Sequence, residues 1–194
     1  MEKRIECVVT NKELMEDILV LAIDNGLIPK QLYNLEYDEY MTNLFETYLI
    51  ETDTMEYIRG ISFPSYISLD EDSITLIENI KDIHNFDLLK YCYENDLDIL
   101  VTLSIFSLLH ELGHIKVYHS EELSKFNENK DKLINEILED DSMSFEEKQF
   151  SYRCLPSEYV ADKLAYSFMI TYKKEIVNII NNIENFEYGN LIVE

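Results

Sequence analysis

Basic residues are scarce in this chain of 194 residues: 16 Lys and Arg stand against 39 Asp and Glu, and the formal net charge is −23. A surface this negative repels nucleic acid and anionic membranes. We therefore expect no direct contact with nucleic acid and no membrane association. The same field favours a basic partner, such as a DNA-binding protein that serves as substrate, although solvation of a soluble protein accounts for the charge equally well.

Cysteine is also rare. The three cysteines, Cys7, Cys92 and Cys154, are far apart in the chain and form no Cys-x-x-Cys pair. This pattern predicts neither a disulfide framework nor a cysteine zinc site, and we expect free thiols in a reducing compartment. Cys154 lies four residues before Glu158, which raises a redox or ligand role, but we favour a small buried residue there.

Several other signals are missing from the sequence. It has no apolar signal-peptide core near its N-terminus, no repeat, no Gly-rich phosphate loop and no helix-turn-helix signature. Its longest apolar stretch is shorter than a bilayer span. We therefore expect a cytoplasmic protein. With 46% apolar residues the chain can bury a core, and we predict a single domain over 1–194 whose motif-bearing core covers about 56–172. The pattern does not indicate an oligomeric state.

Two of the four histidines lie four residues apart, in His110-Glu-Leu-Gly-His114. Residues 99–109, just before them, are almost wholly apolar, which predicts a helix buried on most of its surface. On such a helix His110 and His114 project from one face and can reach one metal ion. Glu111 borders that face and can hold the attacking water and take its proton, as in H-E-x-x-H zinc peptidases. Gly113 is costly in a helix, and its use is the room that it leaves for another element.

The alternative is a core helix whose last turn carries two histidines that interact with the helix dipole. A zinc site needs a third protein ligand and leaves its fourth position for water. The strongest third ligand is Glu158, in a second helix that begins near Pro156 and carries Asp162 one turn later. Asp162 can accept the free ring N–H of one of the two histidines. Otherwise Glu158 is a first-turn glutamate favoured by the dipole, and Asp162 is solvated.

Together the two motifs, His110-Glu-Leu-Gly-His114 and Glu158-x-x-Ala-Asp162-x-x-Ala, resemble the gluzincin pattern H-E-x-x-H followed by E-x-x-A-[DN]-x-x-A. The chain is similar to the ImmA/IrrE family of small metallo-endopeptidases, and also to HtpX-type and Lit-type phage-exclusion peptidases. The resemblance covers about residues 98–170. It implies a zincin-like fold and a zinc endopeptidase in which His110, His114 and Glu158 bind Zn²⁺, Glu111 is the general base and Asp162 orients a ligand.

The subfamily stays open. His119 falls five residues after His114, where family members often carry a histidine after four, and Ser167-Phe-Met-Ile-Thr stands where a Met-Pro often closes the second motif. Peptide hydrolysis also requires a group that stabilises the oxyanion. Tyr118, Tyr159, Tyr166 and His119 are candidates, and spacing does not choose among them. His84 has no metal-ligand spacing and is expected at the surface or at a helix C-terminus.

Periodicity over the whole chain predicts a helix-dominated α+β fold with a small sheet beside the metal helix. We predict a strand over 4–9, helices over 11–25, 33–50, 74–83, 87–93, 98–119, 120–139, 156–172 and 175–183, strands within 56–69, a turn of helix or a flap over 145–152, and a loose tail at Gly189. By resemblance, one strand within 56–69 is the edge that pairs with an extended substrate, and an ordinary hairpin against the core is the alternative.

The functional prediction is a zinc-dependent endopeptidase acting on a cytoplasmic protein. The rival from another class is an acidic interaction or DNA-mimic protein with a vestigial or structural metal site. A metal-dependent hydrolase of a non-peptide amide is a third interpretation.

Overall fold

A computed structural model gives the fold and describes residues 3–31, 33–37, 45–51, 57–120, 125 and 129–193. Within these residues the protein is a helix-dominated α+β fold, as predicted. The strands are β1 (Lys3–Val9), β2 (Tyr33–Tyr37), β3 (Glu46–Glu51), β4 (Tyr57–Phe63), β5 (Tyr66–Ser68) and β6 (Tyr188–Val193). The helices are α1 (Lys12–Asp24), α2 (Glu71–His84), α3 (Leu88–Asn95), α4 (Ile99–His119), α5 (Lys130–Glu139), α6 (Phe145–Arg153), α7 (Pro156–Thr171) and α8 (Lys173–Asn182).

The strands form two small sheets of three strands each. In the first, β1 lies between β5 and β6 and runs antiparallel to both. In the second, β4 lies between β2, which is parallel to it, and β3, which is antiparallel. In the described structure β3 is therefore an outer strand, with one edge free of a partner strand.

The centre of the fold is α4. Asp98 caps its N-terminus by accepting a hydrogen bond from the backbone N–H of Val101. Of its 21 residues, 14 are buried, which agrees with the predicted core helix. The expectation that this stretch is too short to span a bilayer is wrong. Among the described helices, α4 alone is long and apolar enough to cross a membrane. However, 72% of its apolar window is buried inside the protein, as expected of a core helix.

Gly113 allows α7 to approach α4 closely. A Cβ atom at Gly113 would lie 2.9 Å from the Cα and 3.0 Å from the carbonyl oxygen of Ala161 in α7. No side chain fits between the two backbones, and α7 is the element that packs most extensively on α4. The prediction that this glycine makes room for another element is confirmed, and that element carries Glu158 and Asp162.

The predicted helix over 33–50 is wrong. Its described parts, Tyr33–Tyr37 and Glu46–Glu51, are the strands β2 and β3, one on each side of β4; residues 38–44 lie outside the described structure. Burial along β2 alternates with the period of a strand. Pairing with β4 therefore outweighs the helix-like spacing of the apolar residues, a context effect that local propensity does not contain.

Two further predictions about strands need correction. The predicted loose tail at Gly189 is the strand β6, which pairs with β1 along its length. Strands do occur within 56–69, but they are not a hairpin, because β4 and β5 flank Pro64 and join different sheets. β4 is an interior strand and β5 an outer strand of the first sheet, so the edge strand beside the metal helix is not β4.

The segment after α4 also differs from the prediction of a helix over 120–139. In its described part, the α-helix begins only at Lys130, and no residue of α5 is buried; residues 121–124 and 126–128 lie outside the described structure. Cys154 is exposed rather than buried, because it caps the C-terminus of α6 where the chain turns into α7. All three cysteines are free thiols, as predicted, and Cys7 and Cys92 are buried.

Candidate metal centre

His110 and His114 meet on one face of α4. Their Nε2 atoms are 3.1 Å apart, and His110 is only 6% exposed. The other ring nitrogen of His110, Nδ1, lies 2.8 Å from Asp162 Oδ1 and donates its proton to that carboxylate. The Nε2 atom of His110 then faces the Nε2 atom of His114. Two such nitrogens facing each other require a proton or a metal ion to bridge them.

Two carboxylates border the paired imidazoles. His110, Glu111 and His114 form a group that could hold a metal ion, since their ligand atoms all lie within 4.8 Å of one another. Glu111 Oε1 is 3.9 Å from His110 Nε2. Glu158 lies closer, with Oε2 3.3 Å from His110 Nε2 and Oε1 3.5 Å from His114 Nε2.

These distances fit a tetrahedral ion. Bonds of about 2.0–2.1 Å in a tetrahedron place neighbouring ligand atoms about 3.3–3.4 Å apart. The two Nε2 atoms are 3.1 Å apart, and the contacts from His110 Nε2 to Glu158 Oε2 and from His114 Nε2 to Glu158 Oε1 are 3.3 and 3.5 Å. These spacings lie around this value, with the two imidazoles facing different oxygens of the carboxylate. The 3.9 Å separation of Glu111 is larger. Geometry thus favours Glu158 over Glu111 as the third ligand, and leaves Glu111 beside the site.

Glu158 is fully buried, which sets it apart from a solvated first-turn glutamate. Its Oε1 makes no hydrogen bond, although Lys130 Nζ lies 2.8 Å away in an ion pair without hydrogen-bond alignment. Burial alone would raise the pKa of Glu158, but the hydrogen bonds and charges of His110 and His114 hold that pKa far below its usual range. A buried, ionised carboxylate facing two imidazoles is the donor set that suits zinc.

Asp162 lies between two histidines. Its Oδ1 accepts from His110, while Oδ2 lies 3.5 Å from Nε2 of His84, whose side chain is completely buried. Burial would raise the pKa of Asp162, but Arg153 and the hydrogen bonds from the histidines hold it well below its usual range. The ionised carboxylate fixes the tautomer and orientation of His110. The solvated alternative for Asp162 is therefore wrong, since Asp162 is 0% exposed.

His84 corrects one expectation. It is the last residue of α2, as expected of a helix C-terminus, but its side chain is not at the surface. Its ring packs against Tyr159 and Tyr166, with ring centres 4.6 and 5.5 Å away. These two tyrosines pack on His84 and border neither of the two cavities that Glu111 lines.

Two cations lie against the ligand cluster. Arg153, at the end of α6, places one guanidinium nitrogen 3.5 Å from Glu158 Oε2, 3.5 Å from Asp162 Oδ1 and 3.4 Å from His110 Nε2. Lys130, the first residue of α5, contacts the other oxygen of Glu158. The two side chains supply positive charge to a cluster of buried carboxylates.

Two cavities open on either side of Glu111, which lines both. One, of about 310 Å³, is bordered by His110, Glu158 and Arg153. The other, of about 470 Å³, is bordered by His114, Lys130 and residues of β3 and β4. A reactant can therefore reach Glu111 and both imidazoles from solvent.

Tyr152 is the tyrosine that borders both cavities. Burial, and then the charge of Glu158, raise the pKa of Tyr152 far above its usual range, so its hydroxyl stays protonated and can donate. Of the four residues expected to stabilise an oxyanion, Tyr118 borders the larger cavity. His119 is exposed beside Tyr118, with ring centres 5.4 Å apart.

Sequence reasoning missed Tyr152, Arg153, Lys130 and His84. For the first two a signal exists: they end a helix just before Leu155-Pro156, and such a break turns the chain sharply into the helix that carries Glu158. For Lys130 and His84 no local signal exists, because both reach the site through packing between distant elements.

Comparisons of the chain with models of known protein families, with characterised proteins and with solved structures find no match. The functional interpretation therefore depends on the residues of this site and their geometry.

Proposed function

We propose that this protein is a zinc-dependent endopeptidase of the gluzincin type, with His110, His114 and Glu158 as zinc ligands. The observation that carries the proposal is the triangle formed by His110 Nε2, His114 Nε2 and the Glu158 carboxylate, with sides of 3.1, 3.3 and 3.5 Å. It supports a tetrahedral site with three protein ligands and a fourth position open to the cavities, the arrangement of catalytic rather than structural zinc.

A zinc ion in such a site acts as a Lewis acid that makes water nucleophilic near neutral pH. The role of Glu111 follows from its position: it borders the imidazoles at a distance longer than a ligand contact and lines both cavities. From there it can accept a proton from the attacking water and deliver it to the leaving amine. Tyr152, whose hydroxyl keeps its proton, can donate a hydrogen bond to the oxygen of the scissile carbonyl.

An extended peptide suits the shape of the site. β3 is an outer strand of the second sheet, and Glu46 and Thr47 of β3 border the larger cavity together with Glu111 and His114. A substrate strand that adds to this edge would use only backbone hydrogen bonds, leaving its side chains to the walls of the cavity. We infer that β3, rather than a strand within 56–69, is the substrate edge of a zincin-like arrangement.

The charge of the chain supports a basic protein as substrate. A net charge of −23 attracts cationic chains over distances within the Debye length. We propose a cytoplasmic protein substrate, with no role for direct nucleic-acid binding and with all chemistry within a single domain.

The decisive test is Glu111→Gln. Metal-loaded protein is incubated with a peptide library made from cytoplasmic proteins, and new N-termini are counted by mass spectrometry. Because the amide cannot accept the proton, we expect a rate loss of roughly 10²- to 10⁴-fold, while elemental analysis shows the metal content unchanged. Glu175→Gln, an exposed change on α8, should leave cleavage intact.

The outcomes also separate the rival functions. Equal fragment patterns from wild type and Glu111→Gln would overturn the peptidase proposal and leave the acidic interaction protein as the better interpretation. A His114→Ala variant that retains stoichiometric metal would overturn the ligand assignment. Metal binding with no peptide products would point instead to a non-peptide amide as substrate.

A further inference from the structure

Arg59 is a buried cation that has no anionic partner among the described residues. It lies on β4, is 7% exposed, and its Nε and one terminal nitrogen are buried without a hydrogen bond. Its guanidinium carbon lies 4.2 Å from the centre of the Tyr118 ring. Within the part of the chain that the structure describes, no carboxylate pairs with it. In a chain with 39 acidic residues this is unexpected, because burying an uncompensated charge is costly.

The other two cations of the site differ from Arg59 in this respect. Arg153 pairs with Glu158 and Asp162, and Lys130 pairs with Glu158. Their charges are thus neutralised by the ligand cluster. No described carboxylate neutralises the charge of Arg59. Burial, and then this charge, lower the pKa of the neighbouring His119. Burial also lowers the pKa of Arg59, yet a guanidinium stays protonated at neutral pH.

Arg59 borders the same cavity as Glu111 and His114, two residues of the proposed active site. The cavity of about 470 Å³ is lined by Arg59 and Tyr118 on one side and by Glu111 and His114 on another. A group held by Arg59 would therefore lie in the same cavity as the His114 imidazole and Glu111. The guanidinium carbon lies over the Tyr118 ring, and a guanidinium can bind two oxygens of one carboxylate through its planar fork.

We propose that Arg59, backed by Tyr118, is a subsite for one carboxylate of the substrate. This deepens the proposed function and depends on it, because the subsite would position a peptide against Glu111. A single carboxylate fits better than a phosphate: Glu46 and Glu111 border the same cavity and disfavour a second negative charge. The carboxylate belongs either to an acidic side chain or to the C-terminus of the peptide, and the two sources are distinguished experimentally.

Three short alanine-based peptides serve as probes of the full-length, metal-loaded protein. One is blocked at both ends and contains Glu, one is blocked and contains Gln, and one contains Gln but has a free C-terminal carboxylate. We expect wild type to bind at least one carboxylate peptide about tenfold or more tightly than the blocked Gln peptide by calorimetry. Preference for the Glu peptide assigns a side-chain subsite, and preference for the free acid assigns a C-terminal one.

Arg59→Met should abolish this preference, and Arg59→Lys, which keeps the charge but not the fork, should reduce it. The melting temperature of Arg59→Met should be unchanged or higher, because the buried unpaired charge is removed. Arg4→Met, an exposed arginine on β1 outside the cavity, should keep the full preference. In wild type labelled with ¹⁵N, the Arg59 Nε–H resonance should shift on adding the favoured peptide.

The subsite would be overturned if the three peptides bind equally or none of them binds. It would also be overturned if the carboxylate preference survives in Arg59→Met or is lost in Arg4→Met. Failure of the subsite and failure of the proposed function are separable. Peptide cleavage without a carboxylate preference would refute only the subsite. A carboxylate preference that depends on Arg59, without cleavage of any peptide, would refute only the peptidase.

Discussion

At the scale of single residues, the protonation of His110 decides how the proposed site responds to pH. Burial and the charge of Arg153 act to lower the pKa of His110, but its hydrogen bonds to Asp162 and Glu158 outweigh them and raise the pKa to about 9. In the metal-free protein at neutral pH, His110 is therefore an imidazolium held among carboxylates. A metal ion has to displace this proton to reach Nε2.

This proton predicts the pH dependence of metal binding. Because the pKa of His110 in the folded protein exceeds its ordinary value of 6.5, its stabilising contribution is complete below about pH 6.5 and is lost as the pH rises toward 9. The melting temperature of the metal-free protein should fall over this window, and that of the zinc-loaded protein should fall less. At pH 7 zinc uptake should release about one proton, measured by calorimetry in buffers of different ionisation enthalpy.

In His110→Gln, which lacks both this ligand and its proton, zinc uptake and the proton release at pH 7 should be lost together. Zinc affinity of the wild type should also increase with pH up to about 9 and then level off. Zinc binding without proton release from the wild type would contradict the assignment of the raised pKa to this ligand.

At the scale of elements, the contact between Gly113 and Ala161 sets the distance from α4 to α7. Gly113→Ala places a Cβ 2.9 Å from a backbone atom that cannot rotate away. We expect overpacking to cost about 1–3 kcal/mol of unfolding free energy, more than the roughly 1 kcal/mol that alanine gains in helix propensity. Since α7 has to move outward with Glu158, zinc affinity should also fall, as measured by competition with a chelator.

Ala161→Gly provides the matched test of this explanation. It removes one of the three close contacts, that with the Ala161 Cβ at 3.2 Å, and leaves the two backbone contacts. The double variant should therefore recover only a minor part of the lost stability and affinity. A Gly113→Ala protein with wild-type melting temperature and zinc affinity would show that the helix spacing is not fixed here.

The elements that sequence could predict are those whose signals are local. Four helices begin at a capping side chain that accepts a hydrogen bond from the backbone N–H three residues later: Asn11, Asp70, Asp87 and Asp98. Such caps can be recognised in a sequence. The motif spacing likewise placed His110 and His114 on one face of a helix. The strands β2 and β6 were missed because their pairing partners, β4 and β1, lie far away in the chain. β3 pairs with the nearby strand β4, and it was missed because its apolar residues were assigned to the helix-like spacing over 33–50.

The same reasoning applies to the site. The position of Asp162 one turn after Glu158 follows from helical spacing. The burial of His84, in contrast, depends on tyrosines that are more than 70 residues away in the chain. Arg59 has no local sequence signal either, since what distinguishes it is the lack of an anionic partner in the described part of the folded chain. Long-range packing decides such features, and a single sequence contains no direct record of it.

At the scale of the whole molecule, the net charge of −23 has two opposite effects. Repulsion among the like charges destabilises the folded state, and the same negative field would attract the basic substrate proposed above. Raising the ionic strength from about 0.01 M to about 0.15 M shortens the Debye length from about 30 to about 8 Å. Salt should therefore raise the melting temperature while lowering kcat/KM for a basic peptide by roughly tenfold or more.

An uncharged peptide is the control for electrostatic attraction of the substrate, because its kcat/KM should stay nearly constant over the same range of salt. Equal salt responses of the two peptides would contradict steering by net charge. The Arg59 subsite acts over a much shorter range, so a basic chain with one well-placed acidic group can satisfy both selections.

The close packing of Gly113 against Ala161 joins all the residues proposed to bind or orient the ion, His110, His114, Glu158 and Asp162, into one two-helix unit. Arg59 and the Glu46–Thr47 edge belong to strands outside that unit. If the proposed function holds, sequence changes in these strands would alter which proteins are cleaved over evolutionary time, while the two helices keep the residues of the reaction unchanged. The chemistry and the choice of substrate could then evolve separately.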